Sequence, residues 1–402
     1  MIDQAPKLRR ALGLTSLTLY GLGTIIGAGI YVLVGAVAGR AGMGAPLSFL
    51  VAGLLATLTG LSYAELGQRV PEAAGAAAYA REGFNSEKMG HMTGMASLLV
   101  AMVAAASVAR GGAGYLLAII DVPLPVASGA IILLFTALAC WGLKTGVYVA
   151  AVMTLVEVTG LATVVFVGGD ALGDLPRRAG EIWPMEPGAW ISVMGGAFLA
   201  FFAFSGFETI VSMAEETNDV ARTLPRAIIL AIAMAAVLYM LVITISVLSI
   251  PPADLAKSAA PLCLVVDCDR PVMALFPPIA IIATLNGVLI EIMMMARVSY
   301  GMARRGWLPG ALARVHAGRR TPLTATLVVG GFVFALATLV EFEPLVRITS
   351  ALLLCVFLVV NVSLIRLKHS HPSAALTLKI PGLVPILGAA SSVILLGAEV
   401  LF

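Results

Sequence analysis

The 402 residues are 60% hydrophobic and 12% charged, with a mean hydropathy of +1.02. A soluble globular chain carries about 25% charged residues, so half that share, with repeated apolar runs of about twenty residues, excludes an ordinary soluble domain and indicates a polytopic membrane protein in a lipid bilayer. The net charge of +3 gives no reason to expect a nucleic-acid partner.

The first ten residues are short and polar, and the apolar stretch after them is too long for the core of a signal peptide, so no signal peptide is expected. That stretch, roughly 14–38, is long enough to span a bilayer as a helix. It contains Gly21-Leu22-Gly23-Thr24-Ile25-Ile26-Gly27-Ala28-Gly29-Ile30, with four glycines in nine residues. Each interior glycine weakens a helix by about 1 kcal/mol relative to alanine. Two readings fit. The helix opens here and offers bare N–H and C=O groups to a polar solute in a protein-lined cavity. Alternatively, Gly23 and Gly27 form a GxxxG spacing for close helix packing. A dinucleotide turn is excluded, because it needs a preceding strand.

Ten further spans follow by apolar length and polar punctuation, roughly 46–68, 91–118, 124–142, 147–169, 189–213, 225–250, 271–300, 322–340, 345–367 and 380–401. All are expected to be helical, since open strands leave unpaired backbone groups in lipid. With the N-terminus cytoplasmic, eighteen of the 25 lysines and arginines fall on the cytoplasmic side, which is the orientation the positive-inside rule selects. The same orientation puts Cys263 and Cys268, in one loop, outside, where a disulfide can persist. Cys140 and Cys355 stand alone in apolar segments.

Spans one to five (about 14–169) match spans six to ten (about 189–367) in length, and an odd number per half makes the repeats inverted. The sixth span reads Phe201-Phe202-Ala203-Phe204-Ser205-Gly206-Phe207-Glu208, a small Ser-Gly pair followed by a charge. The first span of each half is therefore interrupted at a corresponding place, which is a sequence pointer to a transporter's binding site. The chain reads as one membrane transport domain over 1–402, with an extra helix at about 380–401.

Charges inside a membrane are costly and mark function or pairing. Glu65, Glu215 and Arg297 fall near cytoplasmic ends and read as gate or interface salt-bridge residues. Glu157, Glu208, Glu291 and Arg110 lie deeper. Each of the acids is either a proton-coupling or gating group or a neutral, hydrogen-bonded acid with no transport role. Arg110, the cation well inside the membrane, is expected to meet Glu208 or the substrate. The four histidines read as surface residues.

These residues resemble the amino acid–polyamine–organocation (APC) superfamily of permeases over nearly the whole chain. Gly27-Ala28-Gly29-Ile30 resembles its first-helix signature. Tyr63-Ala64-Glu65-Leu66 with Pro71 and Gly75 resembles the second. The sixth span resembles its Phe-x-x-Phe-x-Gly-Phe-Glu pattern, closed by Glu215-Glu216-Thr217. Met302-Ala303-Arg304-Arg305-Gly306-Trp307-Leu308-Pro309 with Thr321-Pro322 resembles the loop after its eighth helix.

The resemblance implies an all-α, leucine-transporter-like fold of two inverted five-helix repeats with helices one and six broken. It implies an amino acid between helices one, three, six and eight. The substrate carboxylate would meet N–H groups near Gly27, Ala28 and Gly29 beside Ile26. The ammonium would meet carbonyls near Ile25 and from Phe202 through Phe204 to Ser205, next to Gly206. This fits the partial charges at half-helix ends. Of Phe202, Phe204 and Phe207, Phe202 is the expected occluding lid.

The family usually has twelve helices against about eleven here. Many proton-coupled relatives carry a fifth-helix lysine, and aligning Gly142-Leu143-Lys144-Thr145 puts Glu157 in its place, so the lysine mechanism does not transfer. In the implied fold Glu157 and Glu291 are expected as neighbours that share one proton.

The expected activity is import of a small or medium neutral amino acid across the cytoplasmic membrane, with a proton as coupling ion. The alternatives are exchange, sodium coupling, or a cationic amino acid or polyamine as substrate. No cofactor or metal is expected. A membrane enzyme is disfavoured by the lack of a P-loop, a GxSxG elbow or metal-ligand spacing, and a channel by the two inverted halves. Neither the oligomeric state nor the particular amino acid is legible.

Overall fold

The computed structural model describes residues 12–401 apart from 73, 118, 142, 305, 317–320 and 371–375. The first ten residues, Gly142, Arg305, Arg319, Arg320 and His371 thus lie outside the described residues, as do the side chains of Gly27, Ala28, Lys144 and Glu215.

The described chain is helical, with one isolated bridge between Leu12 and Thr217. Its α-helices are α1 (Leu14–Ala41), α2 (Ala45–Arg69), α3 (Ala76–Phe84), α4 (Glu87–Leu117), α5 (Leu124–Trp141), α6 (Leu143–Gly168), α7 (Leu175–Ile182) and α8 (Pro187–Ala203). They continue as α9 (Val220–Ser249), α10 (Pro252–Lys257), α11 (Pro261–Val266), α12 (Phe276–Arg304), α13 (Leu323–Leu339), α14 (Phe342–Ser370) and α15 (Leu383–Leu401). Among the described residues, seven stretches are long and apolar enough to cross a membrane. The first of them, Leu14–Arg69, holds both α1 and α2, and α5, α13 and α15 supply three shorter apolar helices. The expected spans are therefore all present, as α1, α2, α4, α5, α6, α8, α9, α12, α13, α14 and α15.

The two halves meet helix against counterpart. α1 packs on α8, α2 on α9, α4 on α12 and α5 on α13. The cross pairs match as well, since α1 touches α9 as α2 touches α8, and α6 touches α12 as α4 touches α14. This is the contact pattern expected of the two inverted repeats read from the sequence. α1 is threaded through the centre, against α6, α8, α9 and α12, and Ile25, Ile26, Ile30, Tyr31 and Leu33 on it are buried. A helix apolar all round belongs in such a place.

The two interruptions expected from the sequence come out differently. α1 is one continuous helix from Leu14 to Ala41, so the break expected at Gly27–Gly29 is absent from this conformation. The packing gives the reason. A Cβ on Gly21 would stand 2.2 Å from Ile210 Cδ1, one on Gly23 2.2 Å from Thr154 Oγ1, and one on Gly29 2.3 Å from Ala203 Cα. These glycines are contact points for neighbouring helices. The sixth span does break: α8 ends at Ala203, and a 3₁₀ segment resumes at Phe207–Glu216. Gly206 sits between them at φ +114°, and a Cβ there would lie 2.5 Å from the Thr24 carbonyl oxygen. Only glycine fits that backbone and that contact.

Candidate substrate site

The break is tied to α1 by hydroxyl groups. The Thr24 hydroxyl lies 2.9 Å from the Gly21 carbonyl and 3.2 Å from that of Gly206. Thr209 donates to the Gly206 carbonyl at 2.6 Å. From α9, Tyr239 places its hydroxyl 2.7 Å from the Ile25 carbonyl and 3.0 Å from that of Ala203. One proton thus serves two carbonyls, on the two helices that meet at the site. The break also closes on itself. Ser205 donates from its hydroxyl to the Phe202 carbonyl at 2.7 Å, and the Gly206 N–H donates to Glu208 Oε2 at 2.8 Å. Glu208 therefore caps the start of the resumed segment, where a helix N-terminus favours negative charge.

A cavity of about 450 Å³ lies against this junction. α1 contributes Thr24, Ile25 and Gly29, the break Phe202, Ser205, Gly206, Glu208 and Thr209, α4 Ala104 and Val108, and α12 Gly287, Ile290 and Glu291. The helices are those expected, the first, third, sixth and eighth spans. The lining continues past Arg297 and Gly301 to Trp307, and past Ser97 and Gly94 on α4, toward the membrane side that carries the N-terminal end of α1. Most of the lining is apolar, with a few polar groups gathered at the break, as in small-molecule sites generally.

Of the expected substrate residues, Ile25, Gly29, Phe202, Ser205 and Gly206 line the cavity. Ile26 is fully buried elsewhere in the core. Phe204 and Phe207 are core residues as well. Phe204 packs edge-on against Tyr239 at 5.2 Å, and Phe207 packs edge-on against Tyr63 at 5.6 Å and at a tilt against Phe357 at 5.1 Å. Neither lines the cavity, and of the three Phe202 is the phenylalanine on its wall.

The deep charges also separate. Glu157, fully buried on α6, does not pair with Glu291. Its Oε1 accepts from Asn286 Nδ2 at 2.7 Å, its Oε2 has no partner among the described residues, and its backbone carbonyl takes the Tyr31 hydroxyl at 2.6 Å. Asn286 lies five residues before Glu291 on α12, about 7.5 Å along the axis, so the two acids reach different surroundings. Glu291 lines the cavity with Glu208, and its Oε2 has no partner among the described residues. Arg110 meets neither Glu208 nor the cavity. It donates from Nη1 to the Ala337 carbonyl at 2.9 Å, in the last turn of α13, where orphan carbonyls and the helix dipole attract a cation.

Glu65 forms the interface bridge read from the sequence. It is fully buried and bonds Arg69 at 2.7 Å and Lys368 at 2.7 Å. Cys263 and Cys268 are joined as a disulfide. Sequence reasoning missed Asn286, Tyr239 and Thr209. No local pattern marks them, although an asparagine in an apolar run, as at Asn286, is a signal that buried polar groups find partners.

The description "Amino acid permease" matches residues 12–401 of the chain. The chain is 31% identical to the branched-chain amino acid permease of Bacillus subtilis, over 96% of this chain and 86% of that protein. It is 28% identical to the methylthioribose transporter of the same organism, over 96% and 88%. It is 29% identical to the human cationic amino acid transporter 4, over 92% of this chain and 62% of that one. With a whole-length family match and a fold of eleven apolar helices around a polar junction, the chain belongs to the amino acid permease family of the APC superfamily.

Proposed function

We propose that the chain imports a small or medium neutral amino acid across the cytoplasmic membrane by alternating access, with a proton as the coupling ion and the N-terminus in the cytoplasm. The observation that carries this reading is the cavity at the helix-six break. It joins an apolar wall, suited to an aliphatic side chain, to the C-terminal end of α8, whose partial negative charge suits an ammonium. The carboxylate falls to the N–H groups of Gly27 to Gly29, and α1 opens there when substrate arrives. Four glycines make that opening inexpensive in helix propensity. The branched-chain permease among the relatives supports an aliphatic substrate. The disulfide supports the orientation, because it persists on the oxidising side.

Glu157 is the coupling residue in this reading. It is fully buried, one oxygen is held by Asn286 and the other is unmatched among the described residues. A buried charge so poorly paired is costly, and carrying a proton removes it. A second reading has one observation in its favour. Glu208 and Glu291 both line the cavity, which would suit a cationic side chain.

The test is uptake into proteoliposomes of leucine and, separately, of lysine, under an imposed inward proton or sodium gradient. The expected result is leucine uptake raised by the proton gradient, indifferent to sodium, and independent of either gradient in Glu157→Gln. Unchanged proton dependence in Glu157→Gln overturns the coupling assignment, and lysine uptake that excludes leucine selects the second reading.

A further inference from the structure

Glu157 on α6 and Asn286 on α12 are both fully buried, and each carries an oxygen that its neighbours leave empty. Asn286 Nδ2 lies 2.7 Å from Glu157 Oε1 and 3.2 Å from Thr154 Oγ1, so both protons of the amide are engaged. What is left over is Glu157 Oε2 and Asn286 Oδ1, neither with a partner among the described residues. An ionised carboxylate only accepts hydrogen bonds, and so does a carboxamide oxygen. The two cannot satisfy each other in that state, and buried polar groups rarely stay unpaired.

The groups that face Glu157 do not supply the missing donor. Tyr31 approaches from α1 and Tyr239 from α9. The Tyr31 hydroxyl is spent on the Glu157 backbone carbonyl, and that of Tyr239 on the carbonyls of Ile25 and Ala203. On α12 the next acid, Glu291, lines the cavity instead. α5 and α11, which also touch α6, carry no charged residue. Along the chain the nearest charged residues are Lys144 and Asp170, each 13 positions away. Among the described residues no lysine, arginine or histidine pairs with Glu157.

We propose that Glu157 is a neutral acid locked in a reciprocal pair with the Asn286 carboxamide, with Nδ2 donating to Oε1 and the acid O–H on Oε2 donating to Oδ1. A carboxyl and a carboxamide are both planar forks, and two such forks meet edge to edge through two hydrogen bonds. A single proton then gives both orphaned oxygens a partner. Asn286 is the positioning residue of this proton site, and as a part of coupling the inference rests on the role given to Glu157 above. The pair joins α6 to α12 one residue from Gly287, which lines the cavity. Loss of the proton removes one of its two bonds beside the wall that the substrate touches.

The test is infrared spectroscopy of the full chain in lipid at neutral pH. The wild type is expected to show a carboxylic acid carbonyl band that is absent from Glu157→Gln. In Asn286→Leu, a substitution of similar volume, the band is expected to persist and move to higher frequency, because the acid carbonyl has lost its donor. Asn286→Ala removes the same two groups without adding bulk, and is expected to move the band the same way should the leucine variant not fold. A wild type without a Glu157 acid band overturns the proposal, since the carboxylate is then ionised. So does a band that stays in place in the Asn286 variants. Proteoliposome uptake separates this inference from the coupling reading. If the proton-gradient dependence survives in Glu157→Gln while the band behaves as expected, coupling falls and the pair stands. If that dependence is lost but the band ignores Asn286, coupling stands and the pair falls.

Discussion

The first helix of each half carries glycine at mid-membrane, yet α1 runs on through Gly21, Gly23, Gly27 and Gly29 while the sixth span stops at Ala203. The difference lies in what each glycine touches. The α1 glycines at 21, 23 and 29 keep helical backbone and let Ile210, Thr154 and Ala203 approach. Gly206 takes φ +114° with the Thr24 carbonyl in the place of a Cβ. Low helix propensity permits a break, but a positive φ and a polar partner for the freed groups make one. The pair therefore combines a broken helix with a continuous one, and the cavity lies against both.

Four substitutions probe that contrast. Gly206→Val is expected to have the largest effect, because it forces a β-branched residue into a left-handed conformation and onto Thr24. Uptake in proteoliposomes should fall by about a hundredfold or more, since the loss of a positioned site costs several factors of ten. Retained uptake would show that the break is dispensable. Gly23→Ala comes next. Its methyl group overlaps Thr154, and overpacking of this kind costs about 1–3 kcal/mol. Thermal unfolding should show Thr154→Ala restoring part of that loss in the double variant. If Gly23→Ala unfolds like the wild type, close packing is not what keeps α1 continuous there.

Tyr239→Phe removes the hydroxyl shared by Ile25 and Ala203. A loss of about 1 kcal/mol is expected, with substrate affinity changing more than it does for a core tyrosine away from the junction, such as Tyr79. Equal affinities for the two variants would separate Tyr239 from the site. The smallest effect is predicted for Arg110→Lys. Lysine can still reach the Ala337 carbonyl, so KM should move by less than about twofold. A larger rise in KM would return Arg110 to the substrate.

Much of this was legible in the sequence, for physical reasons. Apolar runs near twenty residues admit few structures in lipid, so every span was found, and Ser205-Gly206 followed by Glu208 marked the real break. The partners of buried charges were less legible. Glu157 and Glu291 both fall mid-span, but Glu157 meets Asn286 and Glu291 meets the cavity, because the helix rotation that decides this is set by packing that a linear pattern does not encode. Arg110 found a backbone carbonyl, and no residue type announces one. The phenylalanines illustrate the same limit. Phe202, Phe204 and Phe207 look alike in sequence, and their different directions around the broken helix put one on the cavity wall and two in the core.

Trans-stimulation in proteoliposomes tests the central claim most directly. Vesicles preloaded with unlabelled leucine are given trace labelled leucine outside, for the wild type and for Gly206→Ala. A carrier whose site is built on the helix-six break gives saturable, accelerated uptake in the wild type, lost in Gly206→Ala while the variant remains folded. Absence of acceleration in the wild type, or equal acceleration in folded Gly206→Ala, would contradict it.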